Sequence, residues 1–309
     1  MAAITATDPT FRAYKGTQAK RYDEGRPAYT PALYEAILKY HDECNGCRGT
    51  VVDVGCGPGR ATRELARFFD NAIGVDPSEN MIDTAKQVGG VGNTGNPIEY
   101  YVSPAERVAD LEELPDGKVD LLTAAAAVHW FDMPQFWSQA ARLLKPGGSL
   151  ALWTTGCFYV PDPSSHNAAE LNRIMRQLET DDLAQFELAP NVLSRTLYDD
   201  LALPWKLESA HPDFEESSYD RREWDRDGVL TDGEDFFGDS LEISLDILEK
   251  GYDTASTVTR WRAANPELAH GPDDCVKKTI AQLRKAAGPQ SSGSIRGSTS
   301  TVLLLLKRR

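Results

Sequence analysis

The chain has little positive charge to spare. Its 309 residues hold 33 Lys and Arg against 47 Asp and Glu, a formal net charge of −14. A surface this acidic argues against nucleic-acid backbones and anionic membranes as partners, because both are polyanions. It does not exclude a small anionic substrate, since a pocket can be locally basic. Long apolar runs are also missing. The longest near a terminus, Val302-Leu303-Leu304-Leu305-Leu306, falls far short of the ~20 residues that span a bilayer, and reads as a buried final strand. No charged-then-apolar segment opens the sequence, so no signal peptide is expected. The five cysteines are an odd count with no framework spacing. Cys44 and Cys47 form one C-x-x-C, the pattern of a redox pair or of half a zinc site. No second C-x-x-C and no H-x-x-x-H follows, so no metal is expected and the pair reads as a loop. A reducing cytosol suits all five.

Hydrophobic residues make up 41% of the chain and aromatics 9%, which is the composition of a folded globular protein. The length allows one or two domains. One stretch stands out, Val51-Val52-Asp53-Val54-Gly55-Cys56-Gly57-Pro58-Gly59. It reads as a buried strand running into a turn with glycine at every second position. A second apolar strand follows and ends in Asp76. Strand, Gly-rich turn, helix, strand and terminal carboxylate are the layout of a nucleoside-binding α/β unit.

The glycine spacing narrows the ligand. A dinucleotide fingerprint, G-x-G-x-x-G, needs a third glycine at position 60, which is Arg60. A pyrophosphate also needs backbone N–H groups at a helix N-terminus, and Pro58 removes one of them. A ligand without phosphates fits better. An ionised Asp76 can accept both hydroxyls of a ribose, because each carboxylate oxygen is an acceptor.

The rest of the pattern places this unit in a larger sheet. Helices are predicted over 31–40, 60–69, 78–86 (with Ser78 as N-cap) and 135–144. Strands are predicted over 50–54, 72–75, 98–102, 119–124 and 149–154. These five strand–helix alternations imply a mostly parallel, doubly wound sheet. The pattern then breaks. Residues 158–290 hold helical stretches at 167–180, 241–251 and 276–287, an acidic region near 208–240, and one candidate strand near 214–224. They are expected to form a mostly helical substrate cap. Residues 288–300, rich in Gly, Ser and Pro, are expected to be a surface loop, and 301–307 the last strand. The expected division is therefore 1–157 with 291–309 as the sheet domain, carrying an N-terminal lid, and 158–290 as the cap insertion.

The acidic-x-G-x-G-x-G end of the first strand, with Asp53 at the acidic position, resembles the class I S-adenosylmethionine (SAM) methyltransferases. The resemblance implies a Rossmann-like α/β sheet of seven strands with the last one antiparallel, and SAM as cofactor. Two further motifs, Val128-His129-Trp130-Phe131-Asp132 and Arg26-Pro27-x-Tyr29, are similar to the fungal trans-aconitate methyltransferase family. Ser194-Arg195-x-Leu197 and Val258-x-Arg260-Trp261 agree with it in the cap. Carried over position by position, Gly55, Gly57 and Gly59 line the methionine and ribose, and Asp53 orients the turn or the amino group. Asp76 holds the ribose. Ser103, Ala105 and Glu106 contact adenine, although Pro104 departs from the family's small or polar residue there. Ala124 and Ala125 lie close to the methionine. Tyr22 and Arg26 close over the cofactor, Arg26 as partner of the methionine carboxylate or, alternatively, as a surface ion pair.

Methyl transfer from a sulfonium is an in-line displacement, so the protein chiefly aligns the partners and excludes water. A carboxylate acceptor needs no base, whereas a hydroxyl does. His129 is the base candidate, and shaping of its loop is the other role open to it. Trp130, Trp153, Phe158 and Tyr159 are expected to wall the substrate side. Arg195, Arg260 and Trp261 are candidate cap contacts, and two arginines would suit a polycarboxylate. The resemblance points first to a cytoplasmic enzyme that O-methylates a small trans-aconitate-like acid. The second reading is an O-, S- or N-methyltransferase of a fungal secondary metabolite. The third is a SAM-fold protein without methyl transfer. The sequence leaves the oligomeric state open.

Overall fold

The computed structural model describes residues 29–43, 46–229, 231 and 241–309. Tyr22, Arg26 and Cys44 lie outside the described residues.

Helix α1 (Pro31–Glu43) leads into β1 (Thr50–Val54). Then come α2 (Arg60–Ala66), β2 (Asn71–Asp76), α3 (Glu79–Val88) and β3 (Glu99–Val102). After β4 (Val119–Ala125), α4 (Met133–Leu143) turns directly into the long strand β5 (Leu144–Tyr159). Ser78 caps α3 by accepting from the Met81 N–H, and Asp132 caps α4 by accepting from the Gln135 N–H at 3.2 Å. The strand order is β3-β2-β1-β4-β5-β8-β6, where β6 is Asp220–Trp224 and β8 is Ser294–Lys307. β1 to β5 run parallel, and β8 runs antiparallel to both β5 and β6.

Both faces of this sheet are covered, which explains the unbroken apolar run in β8. Leu303 and Leu305 pack with α1, α2 and α3 on one face. Val302, Leu304 and Leu306 pack with α4 on the other, beside Phe136 and Trp137. A strand buried on both faces needs no polar alternation.

Three expectations change. An eighth strand, β7 (Leu241–Ser244), joins the expected seven by pairing with Ser294–Gly297 of β8. The helix expected from 241 therefore starts at Leu245, where Ser244 accepts the Ile247 N–H and forms α7 (Leu245–Asp253). Residues 294–300 are strand, not surface loop. Their Gly-Ser composition reads as a loop, but β5 continues to Tyr159 and supplies a partner for 298–301. Gly297 lies under the Phe158 ring, so closely that a Cβ there would overlap it at 2.0 Å. A strand glycine marking a close approach is the physical reason the composition misleads.

The cap-side helices are α5 (Ala168–Gln177), α6 (Ala189–Arg195), α7, α8 (Ser256–Ala264) and α9 (Cys275–Ala287). Leu171, Ile174, Leu178, Leu245, Val258, Val276 and Leu283 share an apolar cluster of their own, distinct from the two that flank the sheet. Among the described residues, no helix is long and apolar enough to cross a membrane.

Candidate active site

The glycine turn is tied down from behind. The N–H groups of Gly55 and Cys56 both donate to the Val75 carbonyl, at 2.7 and 3.0 Å, which locks the turn to the end of β2. Gly55 and Gly59 adopt left-handed φ values of 70° and 82°. A side chain there would be strained, and would also meet Ala127 at 2.5 Å or the Tyr100 hydroxyl at 2.6 Å. A Cβ at Gly57 would meet nothing within 4 Å. Its N–H donates to Asp76 Oδ2 at 2.9 Å, and the Ser78 N–H donates to Asp76 Oδ1 at 2.9 Å. The Asp76 carboxylate is thus held at both oxygens, at the mouth of the turn.

Asp53 plays a different part. It is fully buried and accepts from the Thr62 hydroxyl on α2 at 2.7 Å and the Thr123 hydroxyl on β4 at 2.9 Å. Burial pushes its carboxyl up to about 6, against the pull of those two hydroxyls. It braces the turn from beneath, and no part of it lines the cavity above.

The loop after β4 supplies the next wall. Ala125, Ala126 and Ala127 lead into a short 3-10 turn, Val128–Trp130. His129 Nδ1 lies 3.1 Å from the Tyr198 hydroxyl, which lies 3.4 Å from the Trp153 carbonyl. Tyr198 is buried, and burial drives its phenol well above the ordinary range, so it stays neutral. Leu197 and Tyr198 are consecutive non-glycine residues at φ 53° and 64°, a geometry that costs roughly 1–2 kcal/mol per residue. The chain accepts that strain where it sets the phenol against His129.

One cavity of about 1260 Å³ joins these elements. Of the residues singled out in the sequence, Gly55, Gly57, Asp76, Ala105, Glu106, Ala125, His129, Trp130, Phe158 and Arg195 line it. Glu106 also accepts the Asp132 N–H at 2.8 Å, which ties it to the loop after β4. The others sit elsewhere. Gly59 backs onto Tyr100. Ser103 is buried and donates to the Pro104 carbonyl at 3.2 Å, and Ala124 lies in the sheet core. Trp153 packs edge-on against Tyr29 and Tyr34, at 5.5 and 6.4 Å, on the α1 side. Tyr159 is committed to a hydrogen bond with Asp225. Arg260 donates to the Phe186 carbonyl, Asn191 Oδ1 and Ser256 Oγ, and Trp261 packs into the cap cluster.

The cavity also exposes residues the sequence did not flag. Ser78, Ala126 and Ala127 flank the glycine turn and its facing loop. Beyond Phe158, the cap adds Glu179, Leu183, Glu187, Asn191, Leu248 and Tyr252. No local motif marks these, because five separate segments bring them together. Arg195 is held by Glu187 through two bonds of 2.9 and 3.0 Å. Among the described residues, no group of three or more His, Cys, Asp or Glu side chains could hold a metal ion.

Residues 52–152 match the family described as a methyltransferase domain. A candidate methyltransferase of Dictyostelium discoideum is 35% identical over 180 residues, covering 58% of this chain and 62% of that protein. A probable S-adenosylmethionine-dependent methyltransferase of Saccharomyces cerevisiae is 31% identical over 146 residues, 47% of either chain. The chain thus spans about half to three-fifths of the length of these relatives. Among solved structures, a candidate type II methyltransferase from Anaeromyxobacter dehalogenans superposes with a TM-score of 0.58 at 25% identity. The match covers 92% of this chain and 96% of that one. The stretch from β1 to β5 is thus similar in sequence to methyltransferase domains, and the fold agrees with that of the Anaeromyxobacter neighbour.

Proposed function

We propose that this chain is a SAM-dependent methyltransferase acting on a small molecule. The observation that carries the reading is the Asp76 carboxylate, fixed by the Gly57 and Ser78 N–H groups at one end of a cavity that continues into the cap. Both Asp76 oxygens are acceptors with more than one lone-pair direction, which suits the adjacent hydroxyls of a ribose. The open side of Gly57 lets a ligand approach the backbone, and Ala105 and Glu106 offer a wall at the end of β3 for a base. The cavity exceeds the roughly 300–1,000 Å³ typical of a single-ligand pocket, which leaves space for a second molecule on the cap side. On this reading the helices from 160 to 287 form the acceptor side.

Bound SAM supplies a methyl group activated by its sulfonium, with a neutral leaving group. The protein holds the two partners in line and keeps water out. His129 stands on the β4 loop, at the seam between the two halves of the cavity. When the Tyr198 hydroxyl donates to the Trp153 carbonyl, it accepts from His129 Nδ1–H, and that tautomer puts the basic lone pair on Nε2. An acceptor O–H or N–H can then pass its proton to Nε2 as the methyl arrives.

The trans-aconitate resemblance suggests a carboxylate acceptor clamped by Arg195 and Arg260. The geometry favours the other acceptor class. Arg195 is already neutralised by Glu187, and Arg260, which does not line the cavity, donates to the Phe186 carbonyl, Asn191 and Ser256. Two glutamates face the cap half, and a polycarboxylate would meet them. None of the three relatives above is named for its acceptor. An uncharged metabolite carrying a hydroxyl, amine or thiol fits these walls better. Calorimetry with S-adenosylhomocysteine (SAH), followed by labelled-SAM transfer to a panel of phenols, amines and acids, tests the reading. Failure to bind SAH would sink it.

A further inference from the structure

Helix α5 does not simply end. It opens into a π turn, Leu178–Asp182, closed by the Leu183 N–H on the Leu178 carbonyl at 3.0 Å. Such turns insert one residue and re-aim the side chains that follow. Here Leu178 is fully buried in the cap cluster, while its neighbour Glu179 lines the cavity.

Glu179 makes no hydrogen bond or ion pair with any described residue. It shares the cavity wall with Cys157, Phe158, Leu183, Leu248 and Tyr252. The Tyr252 hydroxyl is sealed from solvent and also lacks a partner among the described residues. An ionised carboxylate among such walls carries a desolvation cost that no hydrogen bond from a described residue offsets. Glu187, the other glutamate of this half, is satisfied by Arg195.

We propose that Glu179 is the specificity-determining residue of the acceptor half: it accepts a hydrogen bond from the O–H or N–H of an apolar, ring-sized acceptor, and so selects against free carboxylates. The proposal rests on the methyltransferase reading and names the acceptor class for the same cavity. Burial pushes the Glu179 carboxyl up to about 7, and Glu187 pushes the same way, while Arg195 and Arg176 pull it down. Tyr252 and Cys157, the other titratable groups facing it, are both raised by burial and stay neutral. The carboxylate therefore gains most from a partner that brings its own hydrogen and no negative charge.

The test uses the full chain loaded with SAH and three probes of one shape: 2-naphthol, its methyl ether and 2-naphthoate. Binding is measured by calorimetry for the unsubstituted protein, Glu179→Gln and Glu179→Ala. A charge-assisted bond corresponds to roughly 10- to 100-fold in affinity. The expected result is that naphthol binds at least tenfold tighter than the ether or the naphthoate. That preference should collapse in Glu179→Ala and shrink in Glu179→Gln, with SAH affinity unchanged in both. The proposal is overturned if naphthoate binds best, if either variant keeps the full naphthol preference, or if naphthol does not bind. SAH binding is read separately, so its absence would remove the methyltransferase reading, whereas SAH binding without the naphthol preference would remove only the role of Glu179.

Discussion

The two halves of the cavity treat their polar groups in opposite ways. On the sheet side, each carboxylate that shapes the site is held by hydrogen bonds on the same unit. Asp76 takes backbone N–H groups on both oxygens, and Asp53 takes two threonine hydroxyls. On the cap side, Glu179 and the Tyr252 hydroxyl have no partner among the described residues. A half whose polar groups are satisfied in advance is built around one fixed ligand, and its geometry costs nothing further when that ligand binds. A half that leaves groups unsatisfied must obtain its hydrogen bonds from whatever enters. On the proposed reading, the contrast separates a constant cofactor from a selective acceptor.

Four substitutions would break or sharpen that comparison. The largest effect should come at the seam. His129→Ala should lower kcat on a hydroxyl or amine acceptor by about 10²–10⁴-fold while leaving SAH affinity unchanged. A rate within a few-fold of the original would assign His129 to loop shaping and reopen the carboxylate acceptor. Next comes the rigid half. Gly59→Val should cost about 2–4 kcal/mol of stability, because it combines a left-handed φ with a collision at Tyr100. Denaturant melts with an unchanged midpoint would show that the turn is looser than its hydrogen bonds indicate. Asp76→Ala should weaken SAH by roughly 1–3 kcal/mol in calorimetry, and equal affinity would mean that the ribose sits elsewhere.

The smallest effect concerns stability alone. In the unfolded chain the Glu179 carboxyl has its ordinary value of 4.5, and burial raises it to about 7 in the folded chain. Between those values the folded state binds more protons, so stability conferred at low pH is lost as pH rises through this window. Glu179→Gln does not titrate. It should match the unsubstituted protein below about pH 4.5 and exceed it by about 1–3 kcal/mol above pH 7. A variant less stable than the parent at pH 8 would show that Glu179 has a stabilising partner after all.

Legibility from sequence follows the same division. The glycine turn, Asp76 and the five parallel strands could be read because their determinants are local: special φ values, short spacings and caps such as Ser78. The N-terminal end of β8 reads as a loop because Gly297 and its neighbours have loop composition, and only β5 and β7, far off in sequence, make them strand. Trp153 and Tyr159 read as substrate wall from their position at a strand end. Alternation along β5 decides which face each takes, and the strand runs on to Tyr159 instead of stopping near 154. Glu179 was invisible for a further reason. A π turn carries no composition signal, and a glutamate in a helix ordinarily faces water.

The ribbon formed by β5 and β8 has a mechanical consequence. β8 is one strand of 14 residues, about 45 Å at the usual rise of ~3.3 Å per residue. One end lies in the sheet core between β5 and β6, and the other stands against Phe158 and β7 in the acceptor half. The β5–β8 ladder is interrupted by one register shift, between Thr155 and Phe158, with β6 paired to β8 on one side of it and β7 on the other. The floor beside Phe158 is therefore an outgrowth of the sheet, and the register shift is the place in this ladder where it could bend. Hydrogen exchange can check this: amides from 298 to 305 should open together, with protection near that of the sheet core, while those of α6 and α7 open at lower cost. Fast exchange at 298–301 alone would place a hinge inside the ribbon.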